Sequence, residues 1–251
     1  MIRQTLVQKN FGADKDFRWR GGEVSRIEAF SDAVFAFSIT LLVVSLEVPS
    51  SFEQLKQLMY GFPAFSLTFI TIVGIWYAHY IFFRRYGLQD GITITLNAAL
   101  LFVVIFYIYP LKFLATLLIS HGLFQRVLGF NIQVDIEIGG IENWSNLMII
   151  YGSGFLSVFL ILVILHFHAF RKRDALELNA IEAFTTRSGI IAYSICVVIA
   201  ILSLIIVVAV DGLWGVISSG WIYALIGPLQ GVHAFWANRR AKRILENTAA
   251  T

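Results

Sequence analysis

Five stretches of this sequence run for a membrane's width without a single Asp, Glu, Lys or Arg: residues 57–83, 91–111, 143–170, 188–210 and 212–238. Each reaches the ~20 residues that a helix needs to cross ~30 Å of hydrocarbon. Only 14% of the chain is charged and its mean hydropathy is +0.76, where a soluble domain carries roughly 25% charge. The fold class is therefore an all-α membrane protein. Its single cysteine, Cys196, lies in an apolar run, so neither a disulfide framework nor a thiolate metal cluster is expected. The first 25 residues mix charges around no apolar core and no small-residue cleavage site. No signal peptide is expected, and insertion would begin with the first hydrophobic helix.

That helix starts badly for a membrane span. "RIEAFSDAVFAFSITLLVVSLEVP" opens at Arg26 with Glu28, Ser31 and Asp32 at its root, and only 14 uncharged residues separate Asp32 from Glu47. At 1.5 Å per residue they cover roughly 21 Å, too little to span. The distribution of basic residues decides how to read it. With six crossings and a cytoplasmic N-terminus, 16 of the 19 Lys and Arg fall inside, leaving Lys56, Lys112 and Arg126 outside. Without the first crossing, the amino-terminal basic cluster and Arg84 and Arg85 would fall on opposite sides. So the first helix spans, both termini are cytoplasmic, and Asp32 is embedded about one and a half turns from Arg26. The expected organisation is a cytoplasmic segment over 1–25, a six-helix membrane domain over 26–238, and a basic tail over 239–251 that frays after Arg243.

An ionisable group at membrane depth costs ~2.5–3.5 kcal/mol on insertion scales, so it normally faces protein and has a partner. On a helical wheel Phe37, Leu41 and Val44 form one narrow stripe, extended downward by Phe30 and Val34, ending near Arg26 and bordered by Thr40. Asp32 points roughly 140° away and Ser31 about 120°. In the second helix Trp76 and His79 share a face, and Asn97 in the third lies at similar depth. A network of Asp32, Trp76, His79 and Asn97 would satisfy the carboxylate and fix helix packing, either as structure alone or as a proton relay or gating latch. The apolar stripe by itself reads as lipid-facing or core.

Arg26, Phe30, Ser31 and Asp32 together resemble the Arg-x-x-x-Phe-Ser-Asp signature on the first helix of the transmembrane protein 175 family of endosomal and lysosomal potassium channels and their prokaryotic relatives. Animal members carry two six-helix repeats; with one, this chain is similar to the prokaryotic kind, which assembles as a homotetramer. The resemblance implies a pore lined by first helices, with no "TVGYG" carbonyl filter, and none occurs here. The family's constriction, usually Ile or Leu, falls on Phe37, which is a departure. Leu41 and Val44 would form the next layers, and Thr40 matches a hydroxyl position associated with ion preference. The implied function is a leak-type cation channel of the cell membrane with modest preference for K⁺ over Na⁺, held shut by dewetting of an apolar ring. Its partners would be other copies of itself and membrane lipids, with no nucleic acid, and it would need no cofactor beyond permeant K⁺.

The alternative is a proton- or cation-coupled secondary transporter built on Asp32. It would require a broken helix: the first has no Gly or Pro between Ala29 and Val48, whereas Gly227-Pro228 could break the sixth. An enzyme is not expected, because no paired carboxylates at membrane depth, Ser/His/Asp set, metal-ligand cluster or phosphate loop is present. His166 and His168 are two residues apart and do not share a helical face. Arg84, Arg85 and the basic tail read as topology anchors, Lys112 as a snorkelling residue, and Trp214, Trp221 and Trp236 as interface or core aromatics. Residues 119–142, alternating around Asp135 and Glu137, read as a short hairpin or interfacial loop. The connection 171–187 reads as extensions of two helices, and within it "IEAFTT" (181–186) echoes "IEAFSD" (27–32) without the Arg or the Asp.

Overall fold

The computed structural model of the protein describes residues 17–44, 48–121 and 138–249, and these are helices joined by short turns. In chain order they are α1 (Arg26–Val44), α2 (Phe52–Tyr60), α3 (Phe62–Tyr86), α4 (Gly91–His121), α5 (Ile141–Arg171), α6 (Ala180–Ala209), α7 (Leu213–Trp221) and, after a 3₁₀ turn over Ile222–Leu225, α8 (Ile226–Ala249). Among the described residues, α1, α3, α4, α5 and α6 are long and apolar enough to cross a membrane. The expected hairpin around Asp135 lies outside the described residues.

Local chemistry explains where the long helices begin and end. α1 starts with a capping box: Glu28 N–H donates to Ser25 Oγ at 3.2 Å, and Ser25 N–H donates to Glu28 Oε2 at 2.8 Å. α3 follows Gly61, has Pro63 in its first turn where a missing N–H is harmless, and stops at Gly87, whose φ of 59° is left-handed. Its last-turn arginines, Arg84 and Arg85, suit the negative end of the helix dipole. α6 opens with a second capping box, Asn179 with Glu182. Residues 180–187 are thus an extension of α6, while 172–177 are turns.

The final run departs from a single sixth helix. Pro228 cannot donate to Ala224, and its ring would crowd that carbonyl, so the chain tightens into the 3₁₀ turn just ahead of Gly227-Pro228. Beyond it α8 continues as helix to Ala249, well past Arg243, where the sequence suggests fraying.

Packing runs in a row. α1 lies on α3 and α4, α4 on α5, α5 on α6, and α6 on α7 and α8; among the described residues the α1 backbone does not approach that of α5 or α6 within 8 Å. The core is built by Phe35 and Leu42 of α1, Ile72 of α3, Leu100, Leu101, Val104 and Ile108 of α4, and Val158 and Leu162 of α5. Lipid is as apolar as leucine, so close van der Waals fit and hydrogen bonds rather than water exclusion hold such an interface. At α4–α5 the Tyr107 ring occupies the space a side chain at position 154 would need, since a Cβ on Gly154 would sit 2.2 Å from it. Tyr107 also donates to the Tyr151 carbonyl at 3.0 Å, and the Tyr151 hydroxyl in turn bonds the Pro110 carbonyl.

Candidate functional site

α1 buries Glu28, Ser31, Phe35, Ser38 and Leu42, one face at helical spacing. The opposite face is left largely uncovered by the other described residues. Phe30 is 64% exposed, Phe37 56% and Val44 71%. Arg26, Ala33 and Thr40 are exposed with them, and Val34 and Leu41 are half-buried. Thr40 spends its hydroxyl proton on the Ala36 carbonyl at 2.9 Å, so toward the open face its oxygen is an acceptor.

The polar residues at the root of α1 divide into two links rather than one network. On the exposed flank, Trp76 Nε1 donates to Asp32 Oδ1 at 2.8 Å. The other link is buried and runs through three helices. The Ser31 hydroxyl donates to the Ile27 carbonyl at 2.8 Å, so its oxygen can only accept from elsewhere. Asn97 fills that role with Nδ2 at 2.9 Å, which leaves Asn97 Oδ1 to accept from His79 Nε2 at 2.8 Å. The direction of every bond follows from the first. His79 also stacks obliquely against Phe35 and Phe83 at 5.7 and 4.6 Å between centroids. His79 Nδ1 and Ser38 Oγ are buried without a hydrogen-bond partner among the described residues.

Below this lies a charged collar that the sequence does not announce. Glu28 closes the α1 cap and lies 3.6 Å from Arg84 Nε as an ion pair. Arg84 Nη1 donates to the Gly21 carbonyl at 3.1 Å, so Arg84 is a bridge as well as a charge at a helix end. Arg85 sets its guanidinium 5.0 Å from the Phe17 ring centroid. Across the bundle Asp90, between α3 and α4, gathers Thr93 Oγ1 at 2.5 Å, His168 Nε2 at 2.8 Å and Lys172 Nζ at 3.2 Å. Burial alone would raise the Asp90 pKa, but hydrogen bonds from Thr93, His168 and Lys172 outweigh it and hold the carboxyl well below the usual carboxylate range. The signal for Glu28 was present as Ser-x-x-Glu ahead of an apolar run. The same spacing, Asn179-x-x-Glu182, marks the cap of α6, but nothing in the sequence announces that Arg20 meets Glu182, that Arg84 meets Glu28 or that Asp90 meets His168 and Lys172.

Comparison with known proteins gives consistent results. Residues 26–107 match the family described as endosomal/lysosomal potassium channel TMEM175. A protein of Marivirga tractuosa named "Potassium channel" is 40% identical over 243 residues, covering 94% of this chain and 96% of that one. A potassium channel of Chamaesiphon minutus is 36% identical over 105 residues, 39% of this chain and 52% of that protein. The crystal structure of a variant of the potassium channel MtTMEM175, bound to a nanobody fusion, superposes with a TM-score of 0.81 at 39% identity. It covers 91% of this chain and 99% of that one.

Proposed function

The chain belongs to the TMEM175 potassium channel family, and from that premise we propose that it is a K⁺-preferring cation channel whose pore is lined by α1. It is a multi-pass membrane protein of a channel family, not of an enzyme family. In the proposed topology α7, the 3₁₀ turn and α8 together make a sixth crossing, with both termini in the cytoplasm and the protein in the cell membrane. Support for that topology comes from the charge bias together with the collar, whose Arg20, Arg84, Asp90, His168 and Glu182 contacts gather the start of α1, the end of α3, the start of α4, the end of α5 and the start of α6 at one end of the bundle.

The observation that carries the pore reading is the face of α1 that the described residues leave largely uncovered. Its inward face is filled by Phe35, Ser38 and Leu42, while Phe30, Phe37, Thr40 and Val44 point away from the rest of the chain. A homotetramer with α1 nearest its axis turns that face into a lumen. Four Phe37 rings form the constriction, with Leu41 and Val44 as further apolar layers and Thr40 as the hydroxyl that meets a partly hydrated ion. Such a ring closes by expelling water and discriminates between ions by how much hydration they must shed, so K⁺ is preferred over Na⁺ modestly. The Ser31–Asn97–His79 and Asp32–Trp76 links hold the helix in register, and the motif's Arg26 and Phe30 share the open face.

Reversal potentials in planar bilayers under opposed K⁺ and Na⁺ gradients, for wild type and Phe37→Ala, test this. The expected result is a modest K⁺ preference that the substitution erodes while raising current. Purified protein that passes no current in either form would overturn it.

A further inference from the structure

Residues 17–25 form a strap that crosses one end of the bundle before α1 begins. Phe17 is buried with its ring edge-on to Tyr86 at 5.6 Å. The Arg20 and Gly21 N–H groups both donate to the Arg84 carbonyl at 3.1 Å. Backbone meets backbone here: a Cβ on Gly21 would lie 2.6 Å from the Phe83 carbonyl oxygen.

The strap's other edge is held by one carboxylate on α6. Glu182 Oε1 accepts from the Arg18 N–H at 2.7 Å and from Arg20 Nη1 at 3.2 Å, and Oε2 accepts from Arg20 Nη2 at 2.7 Å. Arg20 completes its fork by donating from Nε and Nη2 to the carbonyls of Leu176 and Glu177, at 2.7 and 3.1 Å. The Glu182 side chain is 1% exposed. An arginine with this many fixed donors is a geometric clamp rather than a loose surface charge.

The placement matters because, among the described residues, the α1 backbone does not approach that of α6 directly. The strap, Gly21–Arg84–Glu28 and the Ser25–Glu28 cap form a closed ring around the first turn of α1. Shifting α1 along or about its axis must therefore drag the strap or break that ring. A cavity of about 240 Å³ beside Gly22, Glu23, Ser25 and Glu28 leaves room for such a shift between the two fastenings.

We infer that Arg20 and Glu182 are a positioning pair for conduction, transmitting the position of α6 to the first turn of α1 and so setting how often the pore is open. This rests on α1 being the pore helix. Neither residue meets the permeating ion, so the pair governs open probability and leaves unitary conductance and ion preference alone.

Single-channel recording of Glu182→Gln, Arg20→Gln and the double variant, beside Phe37→Ala, is the test. Glu182→Gln keeps the side chain's size and an acceptor oxygen. Gly21→Ala displaces the strap without touching the pair. The expected result is an open probability changed by about threefold or more in each, with unitary conductance and K⁺/Na⁺ reversal potential as in wild type. The double variant should be no further changed than the larger single one. If Phe37→Ala alters the current while Glu182→Gln, Arg20→Gln and Gly21→Ala all gate as wild type, the positioning role is wrong and the pore reading stands. If Phe37→Ala is also silent, both fall.

Discussion

Two helices of this chain carry Ile-Glu-Ala-Phe from their second residue, α1 at Ile27 and α6 at Ile181. They share more than letters. Each glutamate closes a capping box, with Ser25 in one and Asn179 in the other, and each pairs with an arginine, Arg84 or Arg20. One turn later they diverge. α6 buries Thr186, whose hydroxyl oxygen accepts from the Tyr86 hydroxyl at 2.8 Å. The matching position on α1 is Asp32, which stays exposed and is held by Trp76. Likewise Phe30 is open where Phe184 is half-buried. The lesson is a division of labour. Four residues dictate how a helix starts, and the neighbours it meets decide which face it buries.

If the comparison holds, the largest difference should appear in conduction. Phe37→Ala should raise K⁺ current on the order of tenfold, equivalent to about 1.4 kcal/mol off the barrier to wetting, while Ile191→Ala at the matching position of α6 leaves it near wild type. Equal effects in bilayer recordings would erase the distinction between the two helices.

The polar links give the next contrast. Asn97→Ala strands the Ser31 oxygen and the His79 N–H together and should lower stability by about 2–3 kcal/mol. Thr186→Val removes a single side-chain partner from Tyr86 and should cost about 1 kcal/mol. Thermal midpoints of the detergent-purified protein check both, and the reverse order would show that the α6 side carries the more demanding polar contact.

Asp90 lies outside both helix starts and sharpens the comparison by its pH dependence. Asp90→Asn should cost about 1–2 kcal/mol at neutral pH by weakening the ties to His168 and Lys172. Because the folded pKa is depressed, the wild type's advantage is complete above the ordinary carboxylate value of about 3.9 and fades as pH falls through the folded one. An advantage that grows on acidification would refute the assignment. Smallest are the caps. Ser25→Ala and Asn179→Ala should each cost about 1 kcal/mol, with the former, at the pore helix itself, altering current the more.

The bundle was legible where physics acts over short range. Charge-free runs give the long helices because hydrocarbon tolerates little else. The wheel stripe of Phe37, Leu41 and Val44 is readable because a helix repeats every 3.6 residues. His79 and Asn97 could be set at the depth of Asp32 because antiparallel neighbours bring equal depths together. That reasoning could not divide the polar residues into a Ser31–Asn97–His79 link and a separate Asp32–Trp76 pair, since depth says nothing about azimuth between helices. The collar was illegible for a different reason. Arg20 and Glu182 carry no periodicity, and only the folded chain reveals that they meet. The interrupted last helix was half-readable, with Pro228 in plain sight but its effect displaced to Ile222–Leu225.

The Arg20–Glu182 clamp also has a consequence in time. Its two halves are 162 residues apart, and a chain emerges from the ribosome from its N-terminus onward. When α1 enters the bilayer, the carboxylate that will fasten its strap has not yet been synthesised. The strap of the earliest helix to be made is thus among the last parts to be fully fastened, and α3, α4 and α5 must all be made before α6 can deliver the residue that does it. Contacts of such long sequence separation form late. A nascent chain that stalls before residue 182 has its strap fastened to α3 but not to α6, which makes the closed strap a mark of a finished chain.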